Sequence, residues 1–315
     1  MKNILITGAY GFVGKNLAKD LAKNNEYYTI ALDIIEENHT FYNSYYSWEN
    51  INNIKWDLVD TIIHLAGKAH DTKNSTDPKT YYDINYGLTK VVFDKYLHSN
   101  VKTFIYFSSV KAVADTLEGK VLTEEFSPNP KTPYGLSKLQ SEYYILNHNV
   151  TPEKKVYILR PCMIHGPGNK GNLNLLYNFI KKGIPYPLGE YNNLRSFSSI
   201  ENIIYIIRNL IEKSVNQGIY NVCDDEPIST NELIQMIAKS CNQSPRLMKI
   251  PVKLIETIAA FGDVLHIPFN SERLKKLTES YVVSNKKLKS ALGIKNLPIN
   301  TREGFQNTFN SFTKK

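Results

Sequence analysis

The sequence predicts an α/β fold of the Rossmann type, a doubly wound parallel sheet with a smaller, mostly helical C-terminal substrate region, and three observations predict it. A glycine-spaced turn, Gly8-Ala9-Tyr10-Gly11-Phe12-Val13-Gly14, follows an apolar run at the N-terminus. Short apolar runs then alternate with segments of helical period, the pattern of βα units. A tyrosine and a lysine four residues apart, Tyr134 and Lys138, stand after the fourth such run.

In chain order, Ile4-Leu5-Ile6-Thr7 reads as a buried parallel strand. Phe12, Val13, Leu17, Ala18 and Leu21 recur at helical spacing, predicting a helix over residues 11–24. Strand, glycine turn and helix in that order are the context of a dinucleotide fingerprint, with the pyrophosphate on the helix N-terminus. The turn residues Gly8, Tyr10, Gly11, Phe12, Val13 and Gly14 are therefore candidate cofactor contacts. Their spacing is G-x-x-G-x-x-G, one residue longer between the first two glycines than the commoner form. The next strand, residues 29–32, ends in Asp33, positioned for the adenosine ribose. A carboxylate there repels a 2'-phosphate, and no Arg or Lys follows until Lys55, so NAD is favoured over NADP.

Residues 34–57, polar and rich in Tyr and Asn, read as an irregular connection. The run over residues 61–65 is a strand whose His64 reads as a hydrogen-bonded core residue rather than a catalyst. A helix is expected over 86–99, a strand over 103–108, a helix over 133–147 and a strand over 156–160. Beyond Gly166 the texture changes to Gly, Pro and Asn with short helices, and no internal repeat is visible.

The Tyr134/Lys138 pair lies on the third of these helices. A phenol titrates near about 10, so it is a poor base at neutral pH unless its anion is stabilised. An ammonium one turn on shares its helix face and can do that, and can also hold the ribose hydroxyls of a dinucleotide. Such a tyrosine exchanges the proton of a sugar hydroxyl while a nicotinamide exchanges the hydride.

These features, with His64-Leu65-Ala66-Gly67, Phe107-Ser108-Ser109, Arg160-Pro161, Gly166-Pro167-Gly168 and Arg195-Ser196-Phe197, make the chain resemble an extended short-chain dehydrogenase/reductase of the nucleotide-sugar epimerase/dehydratase branch. The stations run in family order over most of the chain. The resemblance implies further cofactor contacts at Leu65, Ala66, Gly67, Lys68, Ser108 and Pro161, and a catalytic role for Ser109 beside Tyr134 and Lys138. It implies that Asn172 and Arg195 hold the substrate diphosphate, where a guanidinium fork suits phosphate. Arg273 belongs to a basic cluster with Lys275 and Lys276 that could contact the same diphosphate. The implied organisation is an NAD-binding domain over 1–165, with 197–223 returning to it, and a nucleotide-sugar region over 166–315. A homodimer through the Tyr134 helix and the helix over 86–99 is implied too, as is a part in polysaccharide synthesis.

Two departures from the family pattern narrow the chemistry. The third Ser or Thr expected after Ser108-Ser109 is Val110, which cannot relay a proton. Either Ser109 takes its part, or Tyr134 works with water or with the sugar's own groups. Lys111-Ala112 replaces the Asp-Glu pair of sugar dehydratases, which makes the chain a poor dehydratase candidate and leaves Lys111 as a candidate near the substrate. The Ser-Ser-Val-Lys form resembles 4-ketoreductases of UDP-linked deoxysugars and related 4-epimerases. The expectation is an NAD-dependent epimerase or 4-ketoreductase acting at C4 of a UDP-sugar, the alternatives being a dehydratase or a non-catalytic NAD-binding regulator.

Composition fits that reading. At 315 residues and 42% hydrophobic, the chain can bury a large core. No apolar run approaches the roughly 20 residues of a membrane span, and no signal sequence precedes the first strand, so a cytoplasmic protein without membrane contact is expected. Three cysteines without a C-x-x-C pair suit reduced thiols. The histidines show no metal-ligand spacing, and no metal is expected. The net charge of +8 comes from dispersed Lys and Arg rather than a stripe, so no nucleic-acid partner is expected.

Overall fold

The computed structural model describes residues 1–37, 41–68, 77–169, 171–265 and 270–313. The strands in chain order are β1 (Lys2–Thr7), β2 (Tyr27–Asp33), β3 (Ser44–Ser47), β4 (Thr61–His64), β5 (Thr103–Phe107), β6 (Val121–Leu122), β7 (Lys155–Pro161), β8 (Met163–His165), β9 (Leu194–Arg195), β10 (Phe197–Ser199), β11 (Gly218–Val222), β12 (Ile228–Ser229) and β13 (Val282–Val283). Seven of them form one sheet in the order β11-β7-β5-β4-β1-β2-β3, every neighbouring pair parallel. The order reverses between β1 and β4, and in an open parallel sheet the crevice outside that switch point is where ligands bind.

The first helices are α1 (Phe12–Leu21), α2 (Pro78–Tyr81), α3 (Leu88–Leu97) and α4 (Pro133–Leu146). β1 and β2 are apolar because helices cover both sheet faces, and Ile4, Leu5, Ile6, Ala31 and Leu32 are all fully buried. On one face α1 meets α6 (Ile200–Glu212), whose Ile200, Ile203, Ile206, Ile207 and Leu210 form a buried stripe at helical period. On the other, Val92, Phe93 and Tyr96 of α3 pack with Phe104, Tyr106 and Ile145. β11 closes the sheet against β7, with Val222 opposite Pro161.

Two segments differ from the sequence expectation. The stretch read as an irregular connection contains the edge strand β3, paired in register with β2 from Ile30↔Ser44 to Asp33↔Ser47. An edge strand needs only half-buried side chains, so Ser-Tyr-Tyr-Ser carries no strong apolar signal. The helix expected to begin at 86 begins instead at α2, where Pro78 occupies the first turn and the Asp77 side chain accepts from Lys79 N at 3.1 Å. It passes through a π-helical turn, Tyr82–Gly87, before α3.

The remaining helices are α5 (Asn172–Lys181), α7 (Thr230–Ser240), α8 (Val252–Leu265), α9 (Ser271–Thr278), α10 (Lys286–Leu292) and α11 (Thr301–Thr313). Leu173, Tyr177, Ile180, Ile234, Ile237, Phe305 and Phe309 join from α5, α7 and α11 in a second core. Among the described residues no helix is long and apolar enough to cross a membrane.

Candidate active site

The glycine turn is built by close approach. Gly8 has φ +63°, and a Cβ there would fall 2.7 Å from Ala66 N, so β1 and the segment after β4 can touch only at glycine. A Cβ at Gly14 would fall 2.3 Å from the Ala9 carbonyl oxygen. The Tyr42 hydroxyl braces the same turn, donating to Ala9 O at 2.9 Å and Gly14 O at 3.1 Å. Gly11 caps α1 without a side-chain bond, leaving the first-turn amides of Phe12, Val13 and Gly14 for an anion.

At the end of β2, Asp33 accepts from Tyr10 N and Ile34 N, each at 2.7 Å, which holds its carboxylate beside the turn. Lys15 of α1 is paired with Glu37 at 2.7 Å. A dinucleotide's ribose therefore meets an acidic strand end, an arrangement that suits NAD and disfavours a 2'-phosphate.

Across the crevice, Lys138 is 6% exposed and donates to Phe107 O at 2.8 Å. Burial pushes its pKa down to about 8, against which Glu142 raises it. A Cβ at Gly67 would lie 3.1 Å from Lys138 Nζ and 2.8 Å from Asn85 Oδ1, so glycine keeps open the space that this ammonium faces. Asn85, in the π-helical turn, accepts from Lys68 N at 2.8 Å and donates to Ser137 of α4 at 2.9 Å. The residues that would hold a nicotinamide ribose are thus tied to the helix that carries the tyrosine.

Tyr134 sits in the first turn of α4, which starts on a Thr132 cap accepting from Gly135 N at 3.2 Å. Its ring meets Tyr81 edge-on, with centroids 6.2 Å apart. Burial raises the phenol pKa, and the hydrogen bond with Ser109 pulls it back down. Val110, at the position where a third hydroxyl was expected, is 4% exposed and packs with Val113, Cys162 and Cys223.

Ser108, expected as a cofactor contact, turns its side chain into the core. Its hydroxyl donates to Glu142, which is also paired with Arg160 at 2.5 Å, and all three are buried. Sequence order alone hides this, because Glu142 and Arg160 meet through the fold beneath the sheet edge. Pro161 ends β7 at the crevice, and His64 is a core residue bonded to Thr7 at 2.7 Å and Thr89 at 3.0 Å. Burial holds the His64 imidazole neutral, with its pKa near 3.

Lys111, a candidate substrate contact, donates to Asp115 O at 2.8 Å and lies 4.1 Å from the Tyr281 ring centroid. Burial lowers its pKa, while Asp115 and Glu279 raise it. Arg195 lies nearby, its Nε bonded to Glu279 O at 3.2 Å and its Nη2 to Lys276 O at the end of α9. Asn172 is exposed in the first turn of α5, and the Arg273 side chain is exposed on α9. Arg195 and Lys111 come together through Tyr281, whereas Asn172 and Arg273 stand on the separate helices α5 and α9. Sequence reasoning missed Tyr42, Tyr81, Asn85, Glu142 and Tyr281. Glu142 alone left a signal, as a carboxylate one turn after Lys138 on a largely buried helix face. Among the described residues no group of three or more His, Cys, Asp or Glu could hold a metal ion.

Residues 4–223 match the NAD dependent epimerase/dehydratase family. A UDP-glucose 4-epimerase of Vibrio cholerae is 29% identical, covering 99% of this chain and 95% of its own. A GDP-6-deoxy-D-mannose reductase of Pseudomonas aeruginosa is 24% identical, covering 80% and 84%. The solved UDP-N-acetylglucosamine 4-epimerase of Bacillus cereus superposes with TM-score 0.77 at 19% identity, covering 98% of this chain and 99% of that one.

Proposed function

The chain belongs to the NAD dependent epimerase/dehydratase family, and from that premise we propose that it oxidises and reduces C4 of a nucleoside-diphosphate sugar, a UDP-sugar first. The observation that carries the reading is Tyr134 in the first turn of α4, one helical turn before the buried Lys138, with Ser109 placed to lower its pKa. Bound at the glycine turn, NAD supplies a hydride acceptor and donor. Tyr134 takes the C4 hydroxyl proton on oxidation and returns it on reduction. Ser109 stabilises the phenolate by hydrogen bonding, and Lys138, protonated below about pH 8, adds positive charge on the ribose side. Asp33, Gly67 and Asn85 orient the cofactor. Lys111, Arg195, Arg273 and Asn172 line the substrate side, with Arg195 exchanging its bonds to the carbonyls of Lys276 and Glu279 for phosphate oxygens.

Epimerisation is the first reading, since the Vibrio cholerae 4-epimerase aligns along almost the whole chain. Net ketoreduction is the second, supported by the Pseudomonas aeruginosa reductase. The division into a cofactor domain over 1–165 plus 197–223 and a substrate region over 166–315 accords with β11 joining the main sheet and with the separate core of α5, α7 and α11. Homodimerisation through α3 and α4 is supported by the exposed Val91, Leu136, Tyr143 and Leu146 on those helices. A reducing, cytoplasmic setting suits the three free cysteines. The test is incubation with UDP-hexoses, UDP-N-acetylhexosamines and a UDP-4-keto-6-deoxy sugar plus NADH. C4 epimers without net NADH loss establish the epimerase, and NADH consumption with the keto sugar alone establishes the reductase. No change in any of them refutes the proposal.

A further inference from the structure

The solvent face of α8 is apolar where a soluble helix is normally polar. Leu254, Ile258, Phe261 and Leu265 are 52%, 48%, 63% and 67% exposed. Their spacing of four, three and four residues aligns them in one stripe along the helix. Val264, 74% exposed, widens the stripe. The inner face already has its partners, because Ile255 and Ala259 are buried in the second core and Gly262 is buried beside them. At about 100° per residue, the helix's two carboxylates, Glu256 and Asp263, fall on the side away from the stripe, and Asp263 accepts from Ser271 N at 3.1 Å.

The charges around the stripe favour one kind of occupant. Lys249 and Lys253 flank its N-terminal end, and α9, packed against α8, presents Arg273, Lys275 and Lys276 together with the exposed Leu277. Against these five cations stand Glu256, Asp263 and Glu272, of which Glu272 pairs with Lys276. An exposed ridge of large apolar side chains bordered by Lys and Arg is the pattern of a helix lying in the plane of an anionic bilayer surface. A second copy would fit less well, since an isologous contact lays a patch on itself and would oppose like-charged rims.

We propose that α8 and the adjoining face of α9 dock this protein on an anionic lipid surface, with α8 lying in the headgroup layer and not crossing it. This goes beyond the C4 chemistry and does not rest on it. It also departs from the sequence-based expectation of no membrane contact, which was drawn from the lack of a spanning run. Arg195 is bonded to the carbonyls at the end of α9, so docking would hold the proposed diphosphate side of the crevice close to the lipid.

The test is co-sedimentation of the full chain with vesicles of phosphatidylglycerol and phosphatidylcholine in equal parts, and of phosphatidylcholine alone. The expected result is binding at least about tenfold stronger to the anionic vesicles and weakened by salt. Ile258→Ser with Phe261→Ser should lower that partition about tenfold or more, by removing apolar groups that would insert. Lys253→Glu with Lys275→Glu should weaken it too, and thermal melting should show both double variants folded. The proposal is overturned if the wild-type protein stays in the supernatant with anionic vesicles, or if binding survives the serine substitutions. It is overturned equally if the serine variant dissociates an oligomer in light scattering while wild type ignores vesicles, for the stripe would then join copies of this chain.

Discussion

Replacing Glu142 by Gln would perturb stability and catalysis by separable routes. The carboxylate accepts from Ser108 Oγ and from Arg160 Nε and Nη2, with both charged side chains at most 3% exposed. Removing one partner of a buried ion pair leaves the other charge uncompensated, at a cost of about 3–5 kcal/mol. Among the described residues Arg160 Nη1 has no hydrogen-bond partner, so little stands ready to take up the freed guanidinium. The assay is urea denaturation of wild type, Glu142→Gln and the double variant Glu142→Leu/Arg160→Met. The single variant should lose about 3–5 kcal/mol and the double variant should recover much of it, because paired charges replaced by apolar groups carry no desolvation cost. The second route is electrostatic. Burial lowers the Lys138 pKa to about 8 and Glu142 raises it, so Gln lets it fall further. In the reducing direction Tyr134 donates its proton and Lys138 acts protonated, so kcat/KM for reduction should decline as pH rises through about 8 in wild type, and in Glu142→Gln the decline should begin at lower pH. A loss under about 1 kcal/mol, or an unmoved alkaline limb, would refute the reasoning.

Other consequences can be checked beside it. Ser109→Ala removes the interaction that lowers the Tyr134 pKa, so kcat should fall about 10- to 100-fold. Gly8→Ala places a Cβ 2.7 Å from Ala66 N at φ +63°, and calorimetry should find NAD binding weakened about tenfold or more while the fold persists. Asp33→Ser takes away the carboxylate bonded to Tyr10 N, and the ratio of NAD to NADP affinity should shift toward NADP. Tyr143→Glu on the exposed side of α4 should turn a dimer into monomers in light scattering, and an unchanged mass would remove that face from the interface.

The sheet was legible where residues carry their own signal. Ile4 to Thr7, the glycine turn and Asp33 mark a strand, a phosphate-facing helix start and a strand end by local chemistry alone, and Tyr134 and Lys138 share a helix face by spacing. β3 was hidden because an edge strand of Ser and Tyr needs no apolar run, and the start at α2 because attention to apolar period passed over the Asp77-Pro78 cap. The support of the site was less legible than the site itself. Asn85 reaches Ser137 across 52 positions, Ser108 reaches Glu142 across 34, and Tyr281 reaches Ala114 across 167. No spacing rule encodes such pairs, since only the sheet order brings them together. Ser109 could be named as a substitute for the missing third hydroxyl, but that the side chain in its place packs into a core with Cys162 and Cys223 was visible only in the fold.

The central claim is that Tyr134 exchanges a proton at C4 while a nicotinamide exchanges the hydride. It is tested most directly by comparing wild type with Tyr134→Phe on a C4-deuterated UDP-sugar, following the C4 configuration and the fate of the label by NMR. The account predicts C4 turnover with a deuterium isotope effect in wild type, and a loss of about 100-fold or more in the variant with NAD affinity retained. Turnover by Tyr134→Phe at the wild-type rate, or a reaction in which C4 keeps both its configuration and its label, would contradict it.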